Sequence, residues 1–328
     1  MRAPQRVLWY SAAVSLAERV HLIELPLGGR RTVNAVLIEG EPLTLVDTGV
    51  RSDESLAALD AALAARGHRV EELEQIVITH PHPDHFGAAA ELVRRSGASV
   101  LGDGAEAIAG FPESMAPRRR FRLGCLEEVG APAELVERWR TRGESWPFAD
   151  EPVRFERSLV EGDELSIGGA TWRVVSTPGH DSTSISLHAP EQGLLITGDI
   201  VVGNGGASVT LHPMPRPARW LLDIFESLAK LAGLDAELAY PGHGRLVTGA
   251  GAAIADRLTR ARQRLEEVAG LIAEAPRSAY EVATALYPPE VAAATLGLSQ
   301  AIGYLEALTV LGRARSELRD GVRRYVAS

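Results

Sequence analysis

The segment Thr79-His80-Pro81-His82-Pro83-Asp84-His85 carries three imidazoles and a carboxylate between positions 80 and 85. His80 and His82 each precede a proline, which pushes both toward extended backbone. Residues two apart in an extended chain point the same way, so these two rings face one spot. Asp84 and His85 fall where a following helix begins and add a carboxylate and a third ring. Nitrogen and oxygen donors of this kind suit zinc, with iron and manganese as rivals. Without a cation, such a cluster beside an apolar strand would leave costly unpaired polar groups. Later in the chain, Thr177-Pro178-Gly179-His180, Gly198-Asp199 and Pro241-Gly242-His243-Gly244 each set a His or Asp on a glycine-containing turn. Each follows a short apolar run, where the backbone can bend sharply toward a common centre. Singly these are ordinary turns. Their ordered recurrence after the histidine cluster makes them candidate ligands.

The elements that must position these groups are short and alternate in type. Asn34–Ile38 and Leu43–Val46 read as adjacent strands joined by the turn Glu39-Gly40-Glu41-Pro42. Ser52 caps a helix to about Arg66, with Leu56, Leu59 and Leu63 as its apolar stripe and Gly67 as its stop. Gln75–Thr79 is a compact strand, Ala88–Arg95 a helix closed by Gly97, and Val100-Leu101 opens another strand. Strands are expected again at Leu165–Ile167, Trp172–Ser176, Ile185–His188, Leu194–Thr197 and Glu237–Tyr240, with a helix over Arg219–Ala232. This alternation predicts α/β layering. His21 and His188 read as strand residues and His68 as a loop residue, whereas His212, in a proline-rich stretch, is a candidate for the wall of a substrate cleft. Ser182 and Thr183 either bond substrate or cap the turn after His180. Gly203-Asn204-Gly205-Gly206 has the flexibility of a substrate loop but lacks the lysine-containing element of a phosphate loop.

Two regions depart from that pattern. From about 105 to 150, Pro112, Pro117, Pro132 and Pro147 break the chain into short helical pieces, and Arg118, Arg119, Arg120 and Arg122 form a basic knot. This reads as a helical insertion over one edge of the main domain, a lid or an edge cover. After Gly251 a long amphipathic helix, Ile254–Ala273, precedes helices capped by Ser278 and Ser299. The strands Arg313–Leu318 and Val322–Val326 then flank a two-strand turn, Arg319-Asp320-Gly321. Three helices followed by a hairpin is the order of a winged helix, which divides the chain into a main domain, 1–250, and a small one, 251–328.

Composition sets the outer limits. With 328 residues, 45% hydrophobic and 23% charged, the chain has ordinary globular usage and room for two domains. No apolar run approaches the ~18 residues of a spanning helix, so no membrane partner is expected. Val7–Ala17 is uncharged and follows Arg2 and Arg6, but no clear cleavage box follows it, and a cytoplasmic location is expected. Cys125 is the only cysteine, which excludes a disulfide framework and a thiolate metal cluster. The net charge of −9 argues against bulk electrostatic grip on nucleic acid. The hairpin end is locally basic, with five arginines against Glu317 and Asp320, and Arg313, Arg315, Arg323 and Arg324 read as solvated strand positions.

The histidine cluster, with Val46-Asp47-Thr48-Gly49 before it and the three later turns after it, resembles the metallo-β-lactamase superfamily. The resemblance covers roughly residues 20–250. It implies an α/β fold: an αβ/βα four-layer sandwich of two mixed sheets, with a dinuclear metal site along one edge. By that resemblance His80, His82 and His180 bind one divalent ion and Asp84, His85 and His243 bind a second. Asp199 bridges the two, Asp47 holds the ligand loops by hydrogen bonding, and Asp84 and Asp199 are the residues assigned to catalysis. Two dications would bring a bridging water's pKa to about 7, and the hydroxide would attack an electrophilic carbonyl or phosphorus. Classical β-lactamases place a cysteine in the second metal site, where this chain offers His85, which lowers β-lactam hydrolysis as a native role. The tail resembles a branch of β-lactamase-like proteins with a winged helix, some of which cut single-stranded RNA, while others in or near it hydrolyse thioesters. The acidic chain and modestly basic wing favour a small-molecule ester or thioester, with single-strand RNA cleavage as the alternative. An idle scaffold is disfavoured by the complete ligand set, and iron-based redox chemistry remains open to the same ligands. A homodimer is an open expectation.

Overall fold

The computed structural model describes residues 15–104, 115–141, 151–203 and 208–328. The amino-terminal apolar stretch before residue 15, the flanks of the insertion and residues 204–207 of the glycine loop lie outside the described residues.

Strands β1 (Val20–Pro26), β2 (Thr32–Ile38), β3 (Thr44–Val46), β4 (Gln75–Ile78), β5 (Ser99–Gly102) and β6 (Arg157–Ser158) lie side by side in chain order. The first three are antiparallel and β3 to β6 are parallel. A second sheet holds β7 (Glu164–Ile167), β8 (Ala170–Ser176), β9 (Ile185–Ala189), β10 (Leu194–Gly198), β11 (Leu238–Pro241) and β12 (Val247–Thr248), with only the β10–β11 pair parallel. The central strands are buried on both faces, β7 and the start of β8 expose alternate residues, and the period-two alternation of each strand decides which residue goes where. Val36, Ile38, Val46 and Val77 meet Trp172, Leu187, Leu194 and Ile196 between the sheets. Their neighbours Leu37, Leu45, Ile76 and Ile78 point outward to Leu59 and Leu63 of α1 (Asp53–Ala64) and Leu92 of α3 (Ala89–Ser96), which follows the one-turn α2 (Pro83–Phe86). On the far side, Val175, Leu195 and Ala239 pack under α6 (Trp220–Ala232) and α7 (Ala250–Glu274). The result is four layers: α/β layering as the alternation predicts, in the four-layer form that the family resemblance implies. Ser52 caps α1 by accepting from the Ser55 amide, and Gly97 closes α3 at φ +74°.

The insertion helices are α4 (Met115–Glu127) and α5 (Ala133–Thr141). Cys125, Leu126, Leu135 and Trp139 bury into the same apolar cluster as α6 and the tail, so the insertion is wedged between catalytic layers and tail. The tail helices are α8 (Ala279–Leu286), α9 (Pro289–Ala292) and α10 (Thr295–Val310), and its sheet runs β13 (Arg277–Ser278), β15 (Val322–Ala327), β14 (Ala314–Arg319). Ser278 caps α8 in a capping box with Glu281. The start expected at Ser299 is a misreading, because α10 begins at Thr295 and Ser299 is buried inside it. Inside its first turn Gly297 lies against α9, where a Cβ would overlap the Val291 carbonyl. The Asp320-Gly321 turn has both residues at positive φ, 49° and 77°, the requirement of a tight hairpin.

One buried polar network ties these parts together across the expected boundary at 250. Glu306 of α10 is 2% exposed and accepts from Arg216 Nη2 at 2.5 Å, Tyr325 Oη at 2.7 Å and the Ala218 amide at 2.8 Å. Arg216 also reaches Glu128 at 3.0 Å, and Glu128 accepts from Arg323 at 2.7 Å. Insertion, catalytic layers and tail therefore share one set of charges. Removing one member of a buried ion pair strands its partners in low dielectric. Glu306→Ala is expected to lower unfolding free energy by about 3–5 kcal/mol in denaturant titration. A loss below about 1 kcal/mol would mean the network carries little of the docking.

Candidate metal centre

The C-terminal ends of β3, β4, β8, β10 and β11 all open on one edge of the sandwich, and the turns that leave them carry the predicted ligands. Parallel pairing sets Val46 beside Val77, so Asp47 follows directly alongside Ile78 and Thr79. His80 and His85 are fully buried, His180 and Asp199 nearly so, and His82, Asp84 and His243 form the half-exposed rim. All seven predicted ligands converge. One set is His80, His82 and His180, a second is Asp84, His85 and His243, and within each set the ligand atoms lie within 4.8 Å of one another. His80, His85 and Asp199 meet the same criterion, which joins the two sets.

The ring orientations follow from what each histidine does with its other nitrogen. His85 Nδ1 donates to Asp47 Oδ2 at 2.7 Å, His243 Nδ1 to the Thr32 carbonyl at 2.7 Å, and His180 Nδ1 to the Ser208 carbonyl at 2.9 Å. His80 Nδ1 donates to Thr79 Oγ1 at 3.0 Å, whose hydroxyl in turn donates to Asp47 Oδ2 at 2.7 Å. Oxygen acceptors on the outside assign the protons to Nδ1 and leave Nε2 facing inward. His82 is reversed: its Nδ1 stands 3.0 Å from both His80 Nε2 and His180 Nε2, while Nε2 lies 3.6 Å from Asp181 Oδ2.

Asp47 holds the largest share of this frame. Besides His85 and the Thr79 hydroxyl, it accepts the Thr79 amide at 2.8 Å. Its own φ is +60°, a left-handed conformation that costs a non-glycine residue about 1–3 kcal/mol. Thr48 keeps the turn in place by donating twice to the His85 carbonyl, from its amide at 2.7 Å and its hydroxyl at 2.9 Å. Gly242 is required for another reason, since a Cβ there would run into Asp199 Oδ1 and the His85 ring.

The site's electrostatics divide along the two sets. Burial holds the His80 imidazole well below its ordinary range and takes His82 down to about 4, so both are neutral donors near pH 7. Burial also acts on His243 and His85, but the carboxylates overcome it. Asp199 leads in raising His243 to about 10, and Asp199, Asp47 and Asp84 raise His85. Against burial, His85 and His243 in turn take Asp84 down to about 2 and hold Asp199 low. Imidazolium–carboxylate contacts therefore stand where a cation would replace protons. His85 Nε2 and Asp199 Oδ1 are buried, lack hydrogen-bond partners and face each other at 3.4 Å. Asp199 Oδ2 lies 3.4 Å from His180 Nε2 and 3.4 Å from His243 Nε2, one ring of each set. Converging imidazole nitrogens and orphaned carboxylate oxygens fit divalent cations.

Other expectations sort cleanly. His212 lines a cleft of about 240 Å³ over the ligands, together with Arg118, Arg119 and Arg122 of the basic knot. Thr183 caps its turn by donating to Asp181 Oδ1 from amide and hydroxyl. His21 and His68 pair with Glu39 instead, and His188 is buried on β9. Cys125 is buried in the insertion with its thiol pushed up to about 11 by burial, a structural residue. Sequence reading missed Asn34, whose side-chain amide donates to the Pro241 and Gly244 carbonyls, both at 2.8 Å, and so fixes the His243 turn. Its one signal was an amide inside the apolar run Val33-Asn34-Ala35. Asp181 was also missed. It is fully buried, 2.5 Å from Arg118.

Because Asp47 sets the rings of His80 and His85 together, Asp47→Ala is expected to weaken divalent-ion binding by about 10- to 100-fold. Competition with a chromophoric chelator measures it, and affinity within twofold of the parent protein would refute that role for Asp47.

The model of the metallo-beta-lactamase superfamily matches residues 28–243. Over 286 residues the chain is 30% identical to "Probable metallo-hydrolase YqjP" of Bacillus subtilis (strain 168), covering 83% of this chain and 86% of that protein. It is 24% identical over 236 residues to an atrochrysone carboxyl ACP thioesterase of Aspergillus fumigatus, covering 65% of this chain and 72% of that one. A crystal structure of a beta-lactamase domain protein from Burkholderia ambifaria superposes with a TM-score of 0.82 at 27% identity, over 96% of this chain and 94% of that one. Fold, ligand geometry and sequence agree: the chain is a hydrolase belonging to the metallo-beta-lactamase superfamily.

Proposed function

We propose that this protein is a dinuclear metal-dependent hydrolase of a small-molecule ester or thioester. His80, His82 and His180 would hold one divalent ion, Asp84, His85 and His243 the other, with zinc the best match to the donors. Such ions supply Lewis acidity and lower the pKa of water. The observation that carries the reading is Asp199, whose Oδ2 is equally distant from one histidine of each set. A shared carboxylate between two ligand sets is what a paired centre needs. The half-exposed rim of His82, Asp84 and His243 leaves the centre open toward the cleft, where His212 and Thr210 form part of the wall.

The ester or thioester class draws support from the relative named as an ACP thioesterase. It also draws support from the tail, read here as a winged helix on its helix order and its β13-β15-β14 sheet. A wing that gripped RNA would present its arginines to phosphates. Instead Arg313 is bound by Glu266, Arg323 by Glu128 and Arg324 by Glu281. These are ion-paired positions rather than the merely solvated ones expected from the sequence. RNA cleavage stays the alternative.

The test gives metal-loaded protein a panel of N-acetylcysteamine thioesters and, separately, a labelled single-stranded RNA, with Asp199→Ala as control. Thioester hydrolysis is expected, falling by roughly a thousandfold in Asp199→Ala, with RNA left intact. RNA cut by the parent protein and not by Asp199→Ala would reverse the assignment.

A further inference from the structure

Asp181 follows His180 directly in the chain, and its side chain is fully buried. A carboxylate in that position needs donors at both oxygens. Oδ1 accepts the Thr183 amide at 3.2 Å and the Thr183 hydroxyl at 3.1 Å. Oδ2 accepts Arg118 Nη1, from insertion helix α4, at 2.5 Å and lies 3.6 Å from His82 Nε2. With Thr183 on one oxygen and Arg118 on the other, the carboxylate cannot turn away from that ring. The 3.6 Å separation exceeds a hydrogen bond, yet it is close enough for a buried charge to orient an N–H dipole.

His82 needs such a neighbour because its other nitrogen has a competing use. The protons of His80 and His180 are held on Nδ1 by Thr79 Oγ1 and by the Ser208 carbonyl, so their Nε2 atoms are bare acceptors. His82 Nδ1 stands 3.0 Å from both. A neutral imidazole has one N–H to place. With that proton on Nδ1, His82 would donate to His80 or His180 and close the ligand set on itself. With the proton on Nε2, three lone pairs converge on one point, as a divalent ion requires. The contacts on the Nδ1 side favour the closed arrangement, so the opposing pull must come from the Nε2 side. Asp181 Oδ2 is the carboxylate oxygen that faces it.

Resting on the reading of His80, His82 and His180 as an ion site, we propose that Asp181 is a positioning residue that keeps the His82 proton on Nε2. His82 Nδ1 is thereby left open for the first ion. Arg118 fixes the Asp181 carboxylate toward that ring, which makes insertion helix α4 a component of the metal centre. Asp47 differs in reach, since it orients His85 directly and His80 through Thr79, one ring of each set. Asp181 acts on the first set alone.

The primary test uses ion-free protein carrying isotope-labelled histidine, where a tautomer is read without turnover or bound metal. Long-range proton–nitrogen correlation spectra, with His82 assigned by the signals lost in His82→Ala, should show Nε2–H in the parent and a shift toward Nδ1–H in Asp181→Asn. Asparagine keeps the size but has one oxygen, which can serve Thr183 or the Arg118–His82 side and not both. Zinc affinity, from competition with a chromophoric chelator, is the second readout. Asp181→Asn is expected to weaken one ion by about 10- to 100-fold and leave the other within about threefold. Retention of that other ion also shows that the variant is folded. Arg118→Gln, which leaves the buried carboxylate in place, should move both readouts part of the way, and Arg118→Lys should restore most of the loss. An unchanged His82 tautomer in Asp181→Asn, or an equal loss at both ions, would overturn the proposal. Arg118→Gln matching the parent on both readouts would overturn the part assigned to α4. Uptake of a single ion by the parent would end the paired-centre reading, while the His82 tautomer of the ion-free protein still decides this one.

Discussion

Three hydrogen bonds to one carboxylate orient the imidazoles at this edge of the sandwich. Asp47 takes the Thr79 amide, the Thr79 hydroxyl and His85 Nδ1, and through the hydroxyl it reaches His80 as well. One ring of each ligand set is thereby oriented from a single residue. That residue sits in a strained left-handed conformation, so the turn needs outside support. The amide of Asp47 donates to the Val77 carbonyl at 2.8 Å, and Thr48 grips the His85 carbonyl. The strain is held by strand pairing on one side and by the start of α2 on the other.

The central strands around the site are apolar on both faces. Sliding a strand by one residue would exchange the inner set, Val36, Val46 and Val77, with the outer set, Leu37, Leu45 and Ile76. Both sets are apolar, so hydrophobicity alone specifies register weakly here. Polar groups at the strand ends add the missing constraint. Asn34 can satisfy the Pro241 and Gly244 carbonyls in one register only, and Asp47 can reach Thr79 only when Val46 pairs with Val77. The site's buried hydrogen bonds therefore help to select the fold that positions them.

Much of this was legible in the sequence, and what was legible shares a property. The ligand cluster, the Ser52 cap, the Gly97 stop and the Asp320-Gly321 hairpin are local, set by neighbours within a few positions. The α/β layering followed from alternation, and its four-layer form from the family resemblance carried by the motif order. What escaped depends on residues far apart in the chain: Asn34 with Gly244, Arg118 with Asp181, Arg216 with Glu306. Arg118, Arg119 and Arg122 were visible as a basic knot, but nothing local says that a helical insertion turns this face toward the ligands. The start of α10 was misread although its neighbours are local. Ser299 has the chemistry of a cap, yet it lies inside the helix, past the point where Gly297 packs on α9.

Net charge illustrates how far a global quantity can mislead about a site. The chain carries −9, which on its own suggests a cleft that repels anions. A charge acts on a substrate mainly within a Debye length, about 8 Å at physiological ionic strength, so the relevant sum is local. Arg118, Arg119 and Arg122 all line the cleft, so the charges near it are not the average of the whole chain. The tail shows the opposite case. Its hairpin looks basic in sequence, but Glu266, Glu128 and Glu281 neutralise three of its arginines where they stand. The region that looked cationic is largely balanced where it stands.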